Sequence, residues 1–376
     1  MKRLCIVTTT DLIVKFFLHR LLRELGERYD VTLVVNTSEP DLLQGSGIRA
    51  EVRPLRIERG IAPIADVAAL ARLYALLARG RYDGVLSLAP KAGLLSALAG
   101  RLARVSFRCH VFQGEVWATR SGPLRRFLKW IDRLVGRWCT HVLVVSRSER
   151  DFLVSEGVLA KDRGQVIAHG SLAGVDLNRF RPDAAWRQQV RDELLIPQDA
   201  MLVLFLGRLT RDKGILDLVR AFREIAADVP GAYLACVGPD EEGLQQSLQQ
   251  CAGEHAGRLR CAGLTAQPER FIAAADVVAL PSYREGFGNV LIEAAAAGVP
   301  ALASRIYGIE DAMLDGETGL MHPPANIQAI AQGLRRLLTD RALRQSLGLR
   351  ARERARCLFS SDTAIAFWTN WLAGRV

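Results

Sequence analysis

Short runs of branched apolar residues alternate with stretches of helical period along the whole chain, and the alternation restarts once. Apolar runs at 4–8, 31–35, 84–88, 107–112 and 141–145 read as strands, and 12–25, 64–79 and 123–139 carry helical spacing between them. After Pro182 the pattern resumes with strands at 202–206, 233–237, 277–280 and 301–303, each followed by a helix. Strand–helix–strand units of this kind build parallel sheets, and 376 residues suffice for two such domains. The stretch 174–182 (GVDLNRFRP) has no clear period and ends in Pro, so it reads as the linker. The expectation is an α/β chain of two doubly wound domains, 1–175 and 183–357, facing across a cleft that closes about this linker. Residues 358–376 form a terminal helix bearing Phe367, Trp368 and Trp371, which need a surface to bury against. Packing back across the domain junction supplies one, and packing within the second domain is the competing reading.

Composition narrows the function classes. Apolar content of 49% and charged content of 24% exclude a disordered or fibrous chain. No run of 18 uncharged apolar residues occurs, and the apolar run at the N-terminus ends at Val7, too short for a signal peptide. The seven Cys are scattered without a C-x-x-C pair, which favours reduced, buried thiols and a cytoplasmic location over disulfides or zinc. Charge is uneven. Residues 1–180 hold 28 Lys and Arg against 17 Asp and Glu, whereas 181–376 hold 22 against 23. The first half is therefore expected to meet something anionic: nucleic acid, a membrane surface or a phosphorylated substrate.

Two segments carry the chemistry. In 283–300 (YREGFGNVLIEAAAAGVP) a strand end leads through a glycine loop into a helix closed by Gly298 and Pro300. Apart from Glu293, residues 290–297 are all Val, Leu, Ile or Ala, so the helix is buried nearly all round and its one carboxylate needs a partner. The open N–H groups at the helix start, with Gly286 and Gly288, can approach a phosphate closely, while Glu285 and Glu293 accept hydrogen bonds from hydroxyls. A nucleotide sugar fits that description. The competing reading leaves Glu293 as a helix-dipole partner and Glu285 as a solvated loop acid. The second segment, 206–214 (LGRLTRDKG), also follows a strand and sets Arg208 and Lys213 at the carboxyl edge of the sheet. Arg recognises phosphate through a bidentate fork and Lys through a point charge, against the alternative of an ordinary basic surface loop.

With E-x7-E from Glu285 to Glu293, the G-R-x4-K-G element and the GVDLNRF stretch, the chain resembles the family-four retaining glycosyltransferases of GT-B fold, two facing Rossmann-like domains. It is similar in particular to bacterial transferases of capsule, lipopolysaccharide and O-antigen synthesis, through stretches at 90–93, 114–120 and 170–176. The resemblance implies transfer of a hexosyl or N-acetylhexosaminyl group, with retention, from a UDP- or GDP-sugar to a saccharide acceptor, here a lipid-linked one. It implies that Glu293 binds the ribose hydroxyls and Glu285 the donor sugar. The backbone amides of Phe287, Gly288, Asn289 and Val290 would meet sugar and phosphates. Arg208 and Lys213 would neutralise the leaving diphosphate, with Gly238 and Leu264 bordering the base.

In the first domain Gln113 stands before Gly114 where relatives place a His, and His110 lies three residues earlier; either is a candidate to face the donor sugar. Lys91 opens a helix and can reach donor phosphates or the acceptor, or end in solvent. No D-x-D triplet occurs, so neither a metal nor another cofactor is expected. The helix at 123–139 alternates an apolar side (Leu124, Phe127, Leu128, Ile131, Leu134, Val135, Trp138) with a basic one (Arg125, Arg126, Lys129, Arg133, Arg137). The basic side is expected to rest on the inner face of the cytoplasmic membrane and to release in high salt, against a simple solvated face. A sugar-nucleotide epimerase on the same scaffold is the nearer rival. A nucleic-acid-binding protein lacks any accompanying motif, and a dinucleotide oxidoreductase would need glycines where Thr8, Thr9 and Thr10 stand.

Overall fold

The computed structural model describes residues 1–39, 41–58 and 60–376. The chain forms two compact units, one of residues 1–173 with 362–376 and the other of residues 174–361. In the first unit, β1 (Arg3–Thr8), β2 (Asp30–Val35), β3 (Ala50–Pro54), β4 (Gly84–Leu88), β5 (Phe107–Phe112), β6 (His141–Val144) and β7 (Gln165–Val166) form one parallel sheet in the order β3-β2-β1-β4-β5-β6-β7. In the second, β8 (Met201–Leu206), β9 (Ala232–Val237), β10 (Leu259–Ala262), β11 (Val277–Leu280), β12 (Ala301–Ser304) and β13 (Gly319–His322) lie in the order β10-β9-β8-β11-β12-β13. Strand order therefore reverses between β1 and β4 and again between β8 and β11. These are the places where open parallel sheets bind ligands, beyond the carboxyl ends of the strands.

Strands buried on both faces are the ones written as continuous apolar runs: β1 and β8 are covered by helices on either side. The sequence does not announce β3, β7, β10 and β13, which lie at or next to the sheet edges. β3 (AEVRP) is half-exposed and polar, and β7 is two residues long. The helix expected at 12–25 opens with Thr10, whose Oγ1 accepts the Leu12 amide at 3.3 Å, and carries a π-helical turn over Val14–Leu18.

The helix Ser361–Leu372 contributes to the first unit. Trp368, fully buried, donates from Nε1 to Leu172 O at 2.9 Å, and Trp371 donates to Gln165 Oε1 at 2.8 Å while its ring meets Phe107 edge-on at 5.9 Å. Residues 174–182, expected as a free linker, instead belong to the second unit. Val175 accepts the Ser361 amide at 2.9 Å, and Arg179 holds Glu269 at 2.8 Å. The sequence shows no period there because side-chain and single-bridge contacts, not a regular ladder, fasten the segment.

Two surface expectations need correction. Helix Gly122–Trp138 turns most of its basic side toward the protein: Arg125 and Lys129 pair with Glu156 at 2.9 and 2.5 Å, and Arg133 donates to Gly157 O at 2.7 Å. Arg125 also stacks over Trp117, whose Nε1 donates to the buried Asp132 at 2.7 Å. Leu124, Phe127 and Trp130 consequently face outward. Among the thiols, Cys357 is exposed rather than buried, and it donates to Glu353 at 3.2 Å. Among the described residues no helix is long and apolar enough to cross a membrane.

Because Trp368 fills the first unit's core and satisfies the Leu172 carbonyl, Trp368→Ala should destabilise that unit by about 3–5 kcal/mol. Urea denaturation followed by intrinsic fluorescence measures this, and a shift of the first unit's transition by less than about 1 kcal/mol would contradict the packing described.

Candidate active site

The loops that follow β8 and β11 meet at the second unit's switch point. Lys213 Nζ reaches Glu285 Oε1 at 2.6 Å, and Ser282 Oγ donates to the same oxygen at 2.7 Å. Neither bond uses Oε2. Both charged side chains are mostly covered, so the pair is held by geometry rather than by stray surface attraction.

The same two loops are joined at three further points. The Tyr283 amide donates to Asp212 O at 2.9 Å, Arg284 pairs with Asp212 at 3.0 Å, and the Tyr283 hydroxyl donates to Asp217. Burial works to raise the Asp212 carboxyl, but Thr210, Arg284, Lys213 and Arg208 outweigh it and hold the group below its usual range. Burial and Asp217 push the Tyr283 hydroxyl up to about 12, so it stays a donor across the physiological range.

Backbone approaches lock the arrangement where side chains would not fit. Gly214, at φ +69°, sits so close to Pro281 that a Cβ there would lie 2.0 Å from its carbonyl oxygen. Gly308, at φ +83°, seats the 305–308 turn against the carbonyls of Glu285 and Gly286, each 2.6 Å from where a Cβ would be. Gly238, at the end of β9, lies against the Gly207 carbonyl in the same manner.

The helix Asn289–Ala296 starts from Gly288, at φ +78°, and ends before Gly298 and Pro300. Leu291 N–H bonds Gly288 O at 2.9 Å, so the amides ahead of it lie outside the helical ladder. Phe287 is buried with its ring edge-on to Phe359 at 5.4 Å, which leaves only its backbone for a ligand. Glu293 is the one charged residue of this helix and is only half-buried. No hydrogen bond or ion pair to a described residue engages its carboxylate. Burial lifts it to about 7, Arg179 pulling it down and Glu269 pushing it up. A carboxylate kept in largely apolar surroundings without a protein partner is costly for folding.

The remaining expected residues separate. Arg208 stands in the loop after β8 and pairs with Glu241 at 2.9 Å, sharing Asp212 as an electrostatic neighbour with Lys213. Leu264 is exposed beyond β10, two strands away from β8.

In the first unit Lys91 begins helix Pro90–Leu102 and is bound to Asp66 at 2.7 Å, so its charge is already matched. Gln113 follows β5, and its buried Nε2 has no hydrogen-bond partner among the described residues. His110 is a correction. It lies inside β5, 2% exposed, with Nδ1 at 3.0 Å from Ser87 Oγ and its ring against Gly93, where a Cβ would come within 2.4 Å. Burial lowers its pKa to about 4, which makes it a neutral core residue rather than a group facing a sugar. Among the described residues no group of three or more His, Cys, Asp or Glu forms a metal-holding cluster.

Sequence reasoning passed over Ser282, Tyr283, Asp212, Asp217 and Glu241. The acid adjoining Lys213, the hydroxyls two and three positions ahead of Glu285, and the acid in the first turn of the helix after Lys213 were the available signals.

The sequence family described as "Glycosyl transferases group 1" matches residues 187–354, and "Glycosyl transferase 4-like domain" matches residues 14–170. The capsular polysaccharide biosynthesis glycosyltransferase CapM of Staphylococcus aureus is 26% identical over 332 residues, 88% of this chain and 86% of the relative. A UDP-Gal:alpha-D-GlcNAc-diphosphoundecaprenol alpha-1,3-galactosyltransferase of Escherichia coli is 26% identical over 327 residues, 85% of this chain and 82% of its own. The crystal structure of Anabaena Alr3699/HepE in complex with UDP and glucose superposes with a TM-score of 0.83 at 19% identity, covering 99% of this chain and 100% of that one. Two Rossmann-like parallel-sheet units, one carrying a charged loop cluster at its switch point, define a protein of GT-B fold. The chain belongs to the family-four glycosyltransferases and resembles bacterial enzymes of polysaccharide synthesis.

The Glu293 carboxyl yields opposed effects on stability and binding. A carboxyl whose pKa is raised on folding costs stability above its unfolded value. The nucleotide-free protein should therefore lose stability as pH rises from the ordinary 4.5 to about 7. Glu293→Gln should flatten that part of the pH–stability curve and raise stability at pH 8, while weakening UDP binding about tenfold or more. Thermal melts across pH, with and without UDP, read both; loss of stability at pH 8 would refute the assignment.

Proposed function

We propose that this glycosyltransferase moves a sugar, with retention of configuration, from a UDP-sugar to a hydroxyl of a lipid-linked saccharide in the assembly of lipopolysaccharide, O-antigen or capsule. The observation that carries the reading is the Lys213–Glu285–Ser282 cluster at the carboxyl edge where β8 and β11 diverge, just ahead of the helix that bears the unpartnered Glu293. The solved relative holding UDP and glucose supports the donor class, and the relative acting on a diphosphoundecaprenol saccharide supports the acceptor class.

In this reading Glu293 accepts hydrogen bonds from the ribose hydroxyls, which replace the partner it lacks. Glu285, oriented through Oε1 by Lys213 and Ser282, offers Oε2 to hydroxyls of the donor sugar. Amides of residues 287–290 meet the phosphates. As the glycosidic bond breaks, negative charge grows on the departing diphosphate. Lys213 and Arg208 meet it, Arg208 exchanging Glu241 for the phosphate. The protein's work is orientation and charge stabilisation rather than covalent chemistry. The leaving phosphate takes the proton of the attacking hydroxyl on the same face, which preserves the anomeric configuration. These two cations also take the place of a resident metal. Gln113 is the first unit's candidate for contact with the donor sugar. The enzyme works at the inner face of the cytoplasmic membrane, where a lipid-linked acceptor resides.

A panel of UDP- and GDP-sugars tested for thermal stabilisation identifies the donor, a saturating ligand at 100 times its dissociation constant adding about 2.7 kcal/mol. With that donor, Arg208→Ala should lower kcat about 100-fold with a much smaller change in donor affinity, and EDTA should leave turnover unchanged. Proton NMR of the product's anomeric centre should show the donor's configuration; an inverted product would refute the mechanism. Donor consumption without an acceptor, giving an isomeric nucleotide sugar, would support the epimerase instead.

A further inference from the structure

Eight of the thirteen exposed large hydrophobic residues among those described lie between positions 61 and 130, within or next to three helices of the first unit. These helices form a layer, in which Pro90–Leu102 packs against both Pro63–Gly80 and Gly122–Trp138. The two outer helices start at the edge where β3 and β5 end, because each leads down to the beginning of the next strand. Their N-terminal halves, with the residue just ahead of the first, present Ile61, Ile64 and Val67 on one side and Leu124, Phe127 and Trp130 on the other. Ile64 is 89% exposed and Trp130 51% exposed, with the Phe127 and Trp130 rings stacked at 6.3 Å. Neighbouring helices stand about 8–10 Å apart, so the ridges are roughly 20 Å from one another, with the Lys91 helix end between them.

Apolar side chains left outward in two matched ridges are unusual for a soluble surface. The charge around them is of one sign. Arg120 and Arg126 beside the aromatic ridge are exposed and pair with no described acidic side chain, and the exposed Arg72, Arg79 and Arg137 continue the same sign toward the far ends of the two helices. The acids nearest these helices are taken: Asp66 by Lys91, Glu156 by Arg125 and Lys129, and Asp132 by Trp117. Apolar and aromatic tips flanked by uncompensated arginines match the interface of an anionic bilayer, where tips enter the acyl boundary and guanidinium groups meet the headgroups.

We infer that the carboxyl-edge half of this helical layer is a bilayer-docking surface that inserts Ile61, Ile64, Val67, Leu124, Phe127 and Trp130 into an anionic leaflet. This rests on the lipid-linked acceptor proposed above and specifies how it is reached: the first unit's switch-point edge is brought down to the leaflet from which such an acceptor projects. It also replaces the purely electrostatic attachment expected from the sequence, because insertion survives salt that screens charge.

Flotation of the full-length protein with vesicles of phosphatidylglycerol and phosphatidylethanolamine, and with phosphatidylcholine vesicles, tests it. Wild type should float with the anionic vesicles, mostly remain bound at about 0.5 M salt where the Debye length is only about 4 Å, and bind phosphatidylcholine weakly. Ile64→Ser/Val67→Ser and Phe127→Ser/Trp130→Ser should each lower the bound fraction about tenfold. Both should keep the UDP-induced rise in Tm, which shows that they fold. Tryptophan emission should shift to the blue on vesicle binding, and Trp130→Phe should remove most of that shift. Wild-type flotation by either double variant, complete release in salt, or equal binding to both vesicle types would overturn the inference. So would a dimer that these substitutions convert to monomer without changing flotation, since a second copy would then cover the face. Failure of UDP to stabilise any form would count against the proposed function and not against docking.

Discussion

The ion pair between Lys213 and Glu285 is the constraint on which the candidate site depends, because it ties two loops that the fold brings together only at their strand ends. Parallel strands fix where β8 and β11 finish; they do not fix what the loops beyond do. Here Asp212 takes the Tyr283 amide on its carbonyl and Arg284 on its carboxylate, Asp217 takes the Tyr283 hydroxyl, and Glu285 takes Lys213 and Ser282. The two loops are thereby cross-linked through Asp212, Asp217 and Glu285, with both bonds to Glu285 falling on Oε1. The glycines at 214 and 308 permit this by letting backbone lie on backbone, where a single methyl would force the loops apart. A carboxylate so restrained loses little further entropy when it meets a hydroxyl, which is the physical content of preorganisation.

Glu293 shows the opposite economy. Past Asn289 everything else on its helix is apolar, and the helix is buried on nearly all sides. Burial disfavours the charged form of the Glu293 carboxyl and lifts it to about 7. Glu285 is satisfied by the protein; Glu293 is left for something else to satisfy. Two acids eight positions apart thus differ in kind, one a pre-aimed group and the other a strained one, and the difference arises from which neighbours the fold supplies.

Much of this was legible from spacing. The central strands, the helix after Gly288 with its single acid Glu293, and the placing of Arg208, Lys213 and Glu285 in loops after strands follow from apolar runs, glycines and the positions of charge. Edge strand β3 was not legible, since a half-exposed strand needs no apolar run, and β13 (GLMH) was not because its four residues include no β-branched one. Nor were the links between 210–217 and 282–285: partners some seventy positions apart leave no local trace. His110 failed for a related reason. A histidine near a strand end looks available until β4 supplies Ser87 and the next helix supplies Gly93 to enclose it.

The helix at 122–138 makes the same point about surfaces. Its residues form two arcs that are each partly apolar, so periodicity alone does not say which arc faces inward. Glu156 decides it, by drawing Arg125 and Lys129 toward the protein, while the Trp117 ring faces their charged ends and its Nε1 binds Asp132. With that side engaged, Leu124, Phe127 and Trp130 have only the outside left to them. The excess positive charge of residues 1–180 is therefore not a uniform attractive face. Part is neutralised inside the fold, and the arginines that remain frame apolar tips, which changes the character of the surface from one that attracts anions to one that can anchor among them.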